Sequence, residues 1–187
     1  MAPFRILVVC TANICRSVMA EQMLGRESAR RGLDVAVSSC GLLFDGEPAS
    51  DTVIDVLEEF GIDASRHRSR RFDPAMLDDV DLVVTMERMH ARELSVTREG
   101  SSPRIHTLGA MADWLDANAD PARSPAATVA ACAAQRSASD LLGAGSDEVE
   151  DPHGRSRRLH RKTAERLDGL TAALLDGLFA QAVDRPD

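Results

Sequence analysis

Apolar and polar positions change period several times along the chain, and each change marks an element. Phe4-Arg5-Ile6-Leu7-Val8-Val9 is almost continuously apolar and β-branched, as a strand buried on both faces requires. From Ser17 to Arg31 the pattern becomes helical, with Met19, Met23 and Leu24 on one side and Glu21, Arg26, Glu27 and Arg30 on the other. Gly32 is a helix stop, and Val35-Ala36-Val37-Ser38-Ser39 reads as a second strand. Val53, Val56, Leu57 and Phe60 recur at helical spacing up to Gly61. Asp81-Leu82-Val83-Val84-Thr85-Met86 predicts a third strand, Glu87–Val96 a helix, and Arg104-Ile105-His106-Thr107 a short fourth strand. Leu159, Thr163, Leu167, Leu170, Leu174 and Leu178 form the apolar stripe of a last helix that covers one sheet face.

Strands alternating with helices imply βαβ units: an α/β fold in three layers, with a parallel sheet of four strands between helices. Ligands of such sheets bind at the carboxyl ends of the strands. The stretch 110–149 is less regular. Met111–Leu115 reads as a helix, Ala126–Leu142 as another, and Gly143-Ala144-Gly145-Ser146 as a break. It is expected to be a solvated, Ala-rich insertion within one domain spanning residues 1–187.

The 187 residues are enough for a real core, and 44% hydrophobic with 28% charged residues is ordinary for a water-soluble globular protein. No apolar run approaches the length of a membrane span, and Met1-Ala2-Pro3-Phe4 is not the start of a signal peptide. A net charge of -8 argues against a nucleic-acid partner. Cys10, Cys15, Cys40 and Cys132 have neither metal-ligand spacing nor a disulfide framework, which fits a reducing compartment. The expectation is a cytoplasmic protein with no membrane partner, no metal and no cofactor.

The chemistry-bearing segment begins where the first strand ends: Cys10-Thr11-Ala12-Asn13-Ile14-Cys15-Arg16-Ser17. Thr11 to Cys15 form a loop short enough to wrap its N–H groups around a tetrahedral anion, and the following helix points its positive end at it. A thiolate is stabilised in such a place. The planar fork of Arg16 can hold two phosphate oxygens at once. Asn13 suits a left-handed turn position. The competing reading makes Cys10 a buried strand-end thiol, the fate of most free cysteines.

Further residues make the context specific. The segment Val9–Val18 resembles the loop V-C-x-G-N-x-C-R-S-P of the low-molecular-weight protein tyrosine phosphatase family, with Ala12 for its glycine and Val18 for its proline. Ser39-Cys40-Gly41, Gly61-Ile62-Asp63 with Ser65-Arg66-His67, Asp81–Glu87 and Asp151-Pro152 resemble further family motifs in the same order. The resemblance implies a flavodoxin-like sheet and metal-free hydrolysis of phosphomonoesters through a phosphocysteine. It implies that Cys10 is the nucleophile and Arg16 the phosphate clamp. Thr11, Ala12, Asn13, Ile14, Cys15 and Ser17 complete the phosphate cradle. Ser17 would donate to the sulfur, and His67 would buttress Asn13 and Ser17, although residues alone read His67 as part of a surface basic run. Asp151 would be general acid and then base, with Asp113 and Asp120 as alternatives. Cys15 would pair with Cys10 under oxidation.

The family's aromatic after Asp-Pro is replaced by His153, so the substrate wall is expected from Ile14, Phe44 and His153. If Ala12 needed a positive φ, its Cβ would cost about 1 kcal/mol. A phosphorylated protein or peptide is the expected partner, phosphotyrosine above all, with inorganic phosphate as product and a monomer or weak dimer as the assembly. Asp151-Pro152-His153-Gly154 also resembles the arginine-phosphate branch, which keeps a protein-arginine phosphatase open. A thiol-linked arsenate reductase lacks its second pair of close cysteines, and a non-catalytic phosphopeptide binder would show no turnover. The basic clusters Arg66–Arg71 and Arg155–Lys162 read either as a rim for acidic phosphopeptides or as solvated surface charge.

Overall fold

The computed structural model describes residues 2–142 and 145–180. Four parallel strands, β1 (Phe4–Cys10), β2 (Val35–Gly41), β3 (Leu82–Thr85) and β4 (Ile105–Thr107), stand in the order β2-β1-β3-β4. The helices are α1 (Arg16–Arg30), α2 (Asp51–Glu59), α3 (Arg88–Ser95), α4 (Leu108–Asn118), α5 (Pro125–Gln135) and α6 (Arg157–Leu178). The three-layer α/β reading of the periodicities holds, with ends shifted by a residue or two.

Alternation along β1 divides the interior. Ile6, Val8 and Cys10 face a core built with Met19 and Met23 of α1, Val53 and Leu57 of α2, and Leu167 and Leu174 of α6. Leu7 and Val9 face the opposite layer, where Val83, Ile105 and α3 residues Ala91 and Leu94 pack. Every residue of β1 from Ile6 onward is buried, which is why its sequence reads as an unbroken apolar run rather than an alternating one.

Two expectations for 110–149 are corrected. The first concerns exposure: Met111, Ala112 and Leu115 of α4 are buried, as are Val129 and Cys132 of α5. The packing is done by these few residues, while Ala126, Ala127, Ala130 and Ala134 of α5 are exposed as expected. The second concerns length: the helix expected over 126–142 ends at Gln135. There Arg136 turns to extended backbone (φ -82°, ψ 133°), and its guanidinium donates to the carbonyls of Ile105 and Ser102. A new 3-10 turn, Ala138–Leu141, starts behind Ser137. Part of the expected break, 143–144, lies outside the described residues.

Two buried histidines make the fold acid-sensitive. His106 Nε2 donates to the Pro103 carbonyl at 3.1 Å, so its Nδ1 is the bare nitrogen facing Cys132 Sγ at 3.7 Å. Burial pushes the Cys132 thiol up to about 11, so it remains the proton donor of that pair. Burial pushes both His106 and His90 down to about 4 from 6.5. The unfolded chain therefore binds more protons than the folded one between those values, and stability is full above pH 6.5 and lost as pH falls toward 4. The loss is of order 1–3 kcal/mol per histidine. Urea midpoints should drop between pH 7.5 and pH 5, and His106→Gln should flatten that drop. An unchanged midpoint over this range would contradict the assignment.

Candidate active site

β1 delivers Cys10 to the carboxyl edge of the sheet, and α1 starts six residues later at Arg16. Between them the loop reverses at Asn13, whose φ of 54° makes it the one non-glycine with positive φ among the described residues. Asn tolerates this left-handed conformation better than most side chains do. The reversal brings the Asn13 N–H back onto Cys10 Sγ at 3.3 Å. Ser17 Oγ lies 3.0 Å from the same sulfur. Because Asn13 Nδ2 already donates to Ser17 Oγ at 2.9 Å, the Ser17 proton is free to point at Cys10. Cys10 itself is only 3% exposed.

The loop is held from below by a continuous polar network. Asn13 Nδ2 also donates to Ser39 Oγ at 2.7 Å, and Ser39 donates to Glu21 at 2.6 Å. Asn13 Oδ1 accepts the Arg70 N–H at 2.8 Å. His67 Nε2 lies 2.8 Å from the Asn13 carbonyl, while its Nδ1 faces Glu21 at 3.7 Å. His67 is thus under the loop rather than on the surface, but it reaches Ser17 only through Asn13. A fully satisfied buried network of this kind fixes one loop geometry.

Arg16 is 1% exposed, which a guanidinium tolerates only when its charge and its donors are matched. Nη1 donates to Glu87 and, at 3.0 Å, to the Val149 carbonyl. Nη2 donates to Asp151 Oδ2 at 2.8 Å and to Thr11 Oγ1 at 3.4 Å. Asp151 is therefore brought to the same cation as the loop, with its side chain 45% exposed. His153 donates its N–H back to Asp151 Oδ1 at 3.1 Å, and Gly154 completes the turn at φ 70°. Asp113 lies on the exposed side of α4, and Asp120 caps its own turn at Ala122 and pairs with Arg123.

The remaining expected residues flank this centre. The Thr11 carbonyl accepts the N–H groups of Leu42 and Leu43 at 2.7 and 3.0 Å, seating the 42–46 loop beside the cradle. Phe44 of that loop is 44% exposed, and Ile14 is half-buried against the core. His153 is exposed on its turn. Cys15 is buried, and burial pushes its thiol up, with the charges of Asp151 and Cys10 adding to the effect.

Several participants were not assigned from the sequence. Glu87 was seen only as the acidic residue ending a motif, and Val149 had no signal at all. His90, fully buried in α3, places Nε2 2.9 Å from Thr11 Oγ1 and leaves its Nδ1 without a partner. The glycine the loop depends on is Gly41, not a residue at position 12. A Cβ on Gly41 would lie 2.7 Å from the Ala12 carbonyl carbon and the Asn13 nitrogen, whereas Ala12 has no positive φ to strain. Gly41→Ala should push the loop off its geometry and lower kcat/KM by at least about 10-fold. Steady-state kinetics at the wild-type value would contradict this.

Residues 5–131 match the family model described as low molecular weight phosphotyrosine protein phosphatase. The chain belongs to that family. Its members are phosphatase enzymes. A probable low molecular weight protein-tyrosine-phosphatase, EpsP, of Ralstonia solanacearum is 34% identical over 106 residues, covering 57% of this chain and 71% of that protein. Among solved structures, a low molecular weight protein tyrosine phosphatase from T. tengcongensis is 31% identical, with a TM-score of 0.72 over 92% of this chain and 98% of that one. The YwlE arginine phosphatase of Geobacillus stearothermophilus has the same TM-score over 99% of both chains at 24% identity, a likeness of fold alone. The family match ends before Asp151, which the structure brings to this phosphatase's loop by its contact with Arg16.

Proposed function

We propose that the chain hydrolyses phosphotyrosine in proteins or peptides through a phosphocysteine on Cys10. One observation carries the reading: Cys10 Sγ receives the Ser17 and Asn13 donors while Arg16 and Asp151 meet at the same loop. The substrate dianion takes the Arg16 fork and the N–H groups of Thr11 to Cys15, and Asp151 is released from Arg16 to face the leaving oxygen. The Cys10 thiolate attacks phosphorus as the ester P–O bond breaks, and Asp151, having taken up a proton from solvent on its release from Arg16, gives it to the departing oxygen. Water then attacks the phosphocysteine and loses its proton to Asp151, the S–P bond breaks, and inorganic phosphate leaves. The charge spread over the equatorial oxygens is met throughout by Arg16 and the loop donors. These steps use no metal and no cofactor.

Ile14 and Phe44 are the apolar surfaces we assign to an aryl ring, with His153 above Asp151 in place of an aromatic. His67 supports the loop through Asn13, and Cys15 is the partner we assign to Cys10 under oxidation. In this reading residues 1–187 form one phosphatase domain onto which 110–149 is packed. The cytoplasm is its proposed location, in keeping with four free, buried cysteines, and a monomer or weak dimer its proposed state. Among the described residues no helix is long and apolar enough to cross a membrane.

The His153-Gly154 pair after Asp-Pro is what favours the second reading, a protein-arginine phosphatase. Parallel assays on one peptide carrying phosphotyrosine or phosphoarginine separate the two. A higher kcat/KM on phosphotyrosine is expected; preference for phosphoarginine would replace the first reading with the second.

A further inference from the structure

Arg88 opens α3 on the side of the sheet edge where Asp151 stands, and its guanidinium serves a carboxylate of its own. Nε and Nη2 donate to Asp147 Oδ1 at 2.9 and 2.6 Å, and Nη1 donates to the Leu142 carbonyl at 3.2 Å. Its backbone N–H donates to Glu148 Oε1 at 3.0 Å. Asp147 is only 6% exposed, and its second oxygen accepts the Thr107 hydroxyl at 2.5 Å from the end of β4. Burial works to raise the Asp147 carboxyl, yet the Arg88 and Thr107 hydrogen bonds hold it below the usual carboxylate range.

Two glycines make room for this arrangement. A Cβ on Gly109 would lie 2.2 Å from the Asp147 carbonyl oxygen, and one on Gly145 would lie 2.1 Å from Asp147 Oδ1 and 2.3 Å from Arg88 Nη2. Asp147 lies in a turn, closed by the Glu148 N–H on the Gly145 carbonyl at 3.2 Å, from which the chain enters the site. The Val149 N–H donates to the Met86 carbonyl at 2.8 Å, the Val149 carbonyl receives Arg16, and Asp151 follows two residues later. Between the Arg88–Asp147 pair and the carboxyl of Asp151 the chain is thus held at three consecutive residues, Asp147, Glu148 and Val149.

We propose that Arg88 is a positioning residue for the general acid, acting through Asp147: the Arg88–Asp147–Thr107 clasp sets where Asp151 stands above Cys10. The proposal rests on the reading of Asp151 as the acid. Its consequence is selective, because loosening the clasp misplaces the acid while Cys10, Asn13 and Ser17 keep their own supports and Arg16, which also bonds the Val149 carbonyl, keeps Glu87 and Thr11. A misplacement of about 1 Å is enough to cost up to about 100-fold in a proton-transfer step. Binding of the phosphate group, which the loop and Arg16 perform, is left in place.

The test compares Arg88→Ala, Asp147→Asn and Thr107→Val with Asp151→Ala on two esters, phenyl phosphate and 2,4-dinitrophenyl phosphate. The first leaving group needs a proton and the second does not. For Arg88→Ala and Asp147→Asn we expect kcat/KM, which reports ester cleavage and not the later hydrolysis of the phosphocysteine, to fall about 10- to 100-fold on phenyl phosphate and by no more than about threefold on the dinitrophenyl ester. Inhibition by inorganic phosphate should not weaken, and Arg88→Lys should recover part of the loss. Thr107→Val removes the hydroxyl's bonds to Asp147 and to the Ala110 N–H that opens α4, leaves the Arg88–Asp147 pair, and should give a smaller effect in the same direction; it serves if the other variants do not fold. An equal loss on both esters, or no loss on either, overturns the proposal while a selective loss in Asp151→Ala leaves the acid assignment standing. If Asp151→Ala itself shows no selectivity, the acid assignment fails and the clasp fails with it.

Discussion

Cys10→Ser is expected to abolish turnover of aryl phosphates while the protein keeps its fold and its affinity for inorganic phosphate. The substitution exchanges one atom at a buried position, and the donors converging there come from elsewhere: the Ser17 hydroxyl and the Asn13 N–H. Those donors and Arg16 still form a cradle for a tetrahedral anion. What disappears is the sulfur nucleophile, since a serine hydroxyl here has no adjacent general base to activate it. Asn13 and Ser17 are hydrogen-bond donors to the atom, not acceptors of its proton. Turnover should therefore fall to the detection limit in a steady-state assay, with phosphate binding retained in a calorimetric titration. Turnover near wild-type would assign the chemistry to another group.

Asp151→Ala is expected to lower kcat on poor leaving groups by about 10²–10⁴, the usual worth of a positioned acid. The loss in kcat/KM, which reports ester cleavage alone, should shrink as the leaving group becomes more acidic. The structure adds a second, opposite effect. Asp151 stands on Arg16 Nη2 at 2.8 Å, on the fork that a phosphate dianion is proposed to use. Binding must break that ion pair, so removing the carboxylate should tighten affinity for inorganic phosphate even as kcat collapses. Glu87 keeps the other side of the guanidinium matched, so Arg16 remains held after the change. Equal kcat for Asp151→Ala and wild-type on phenyl phosphate would move the acid to another residue.

Legibility followed sequence distance. The cradle was readable because its parts lie within eight consecutive residues, where a strand end, a short loop and a helix start leave little freedom. The sheet was readable for a similar reason: burial on both faces forces continuous apolar runs such as Ile6–Val9, and no polar residue interrupts them. Contacts made across the fold left no local trace. Glu87 and Val149 meet Arg16 from 71 and 133 residues away, and neither needs a distinctive neighbour to do so. His67 sits in a run of arginines, and its own neighbours read as surface; the family resemblance, not local pattern, pointed it at Asn13, where the packing turns its ring inward while Arg66 and Arg68 stay outside.

The glycine question had the same cause. Position 12 drew attention because the family motif has glycine there, yet the steric requirement belongs to Gly41 on the neighbouring strand, which the loop backbone crosses closely. The Ala-rich stretch misled for a compositional reason. Its many exposed alanines hide the few residues that pack, and α4 and α5 bury Ala112, Val129 and Cys132 against the rest of the molecule. The strap that follows is legible only afterwards, once Asp147 is seen to be buried against Arg88 and Thr107.

The central claim is that phosphorus passes through Cys10. Rapid acid quenching during turnover of an aryl phosphate, followed by peptide mass spectrometry, tests it most directly. One added PO₃ on the peptide carrying Cys10, absent in Cys10→Ser and longer-lived in Asp151→Ala, is the predicted result. Steady turnover with that peptide unmodified at every quench time would contradict it.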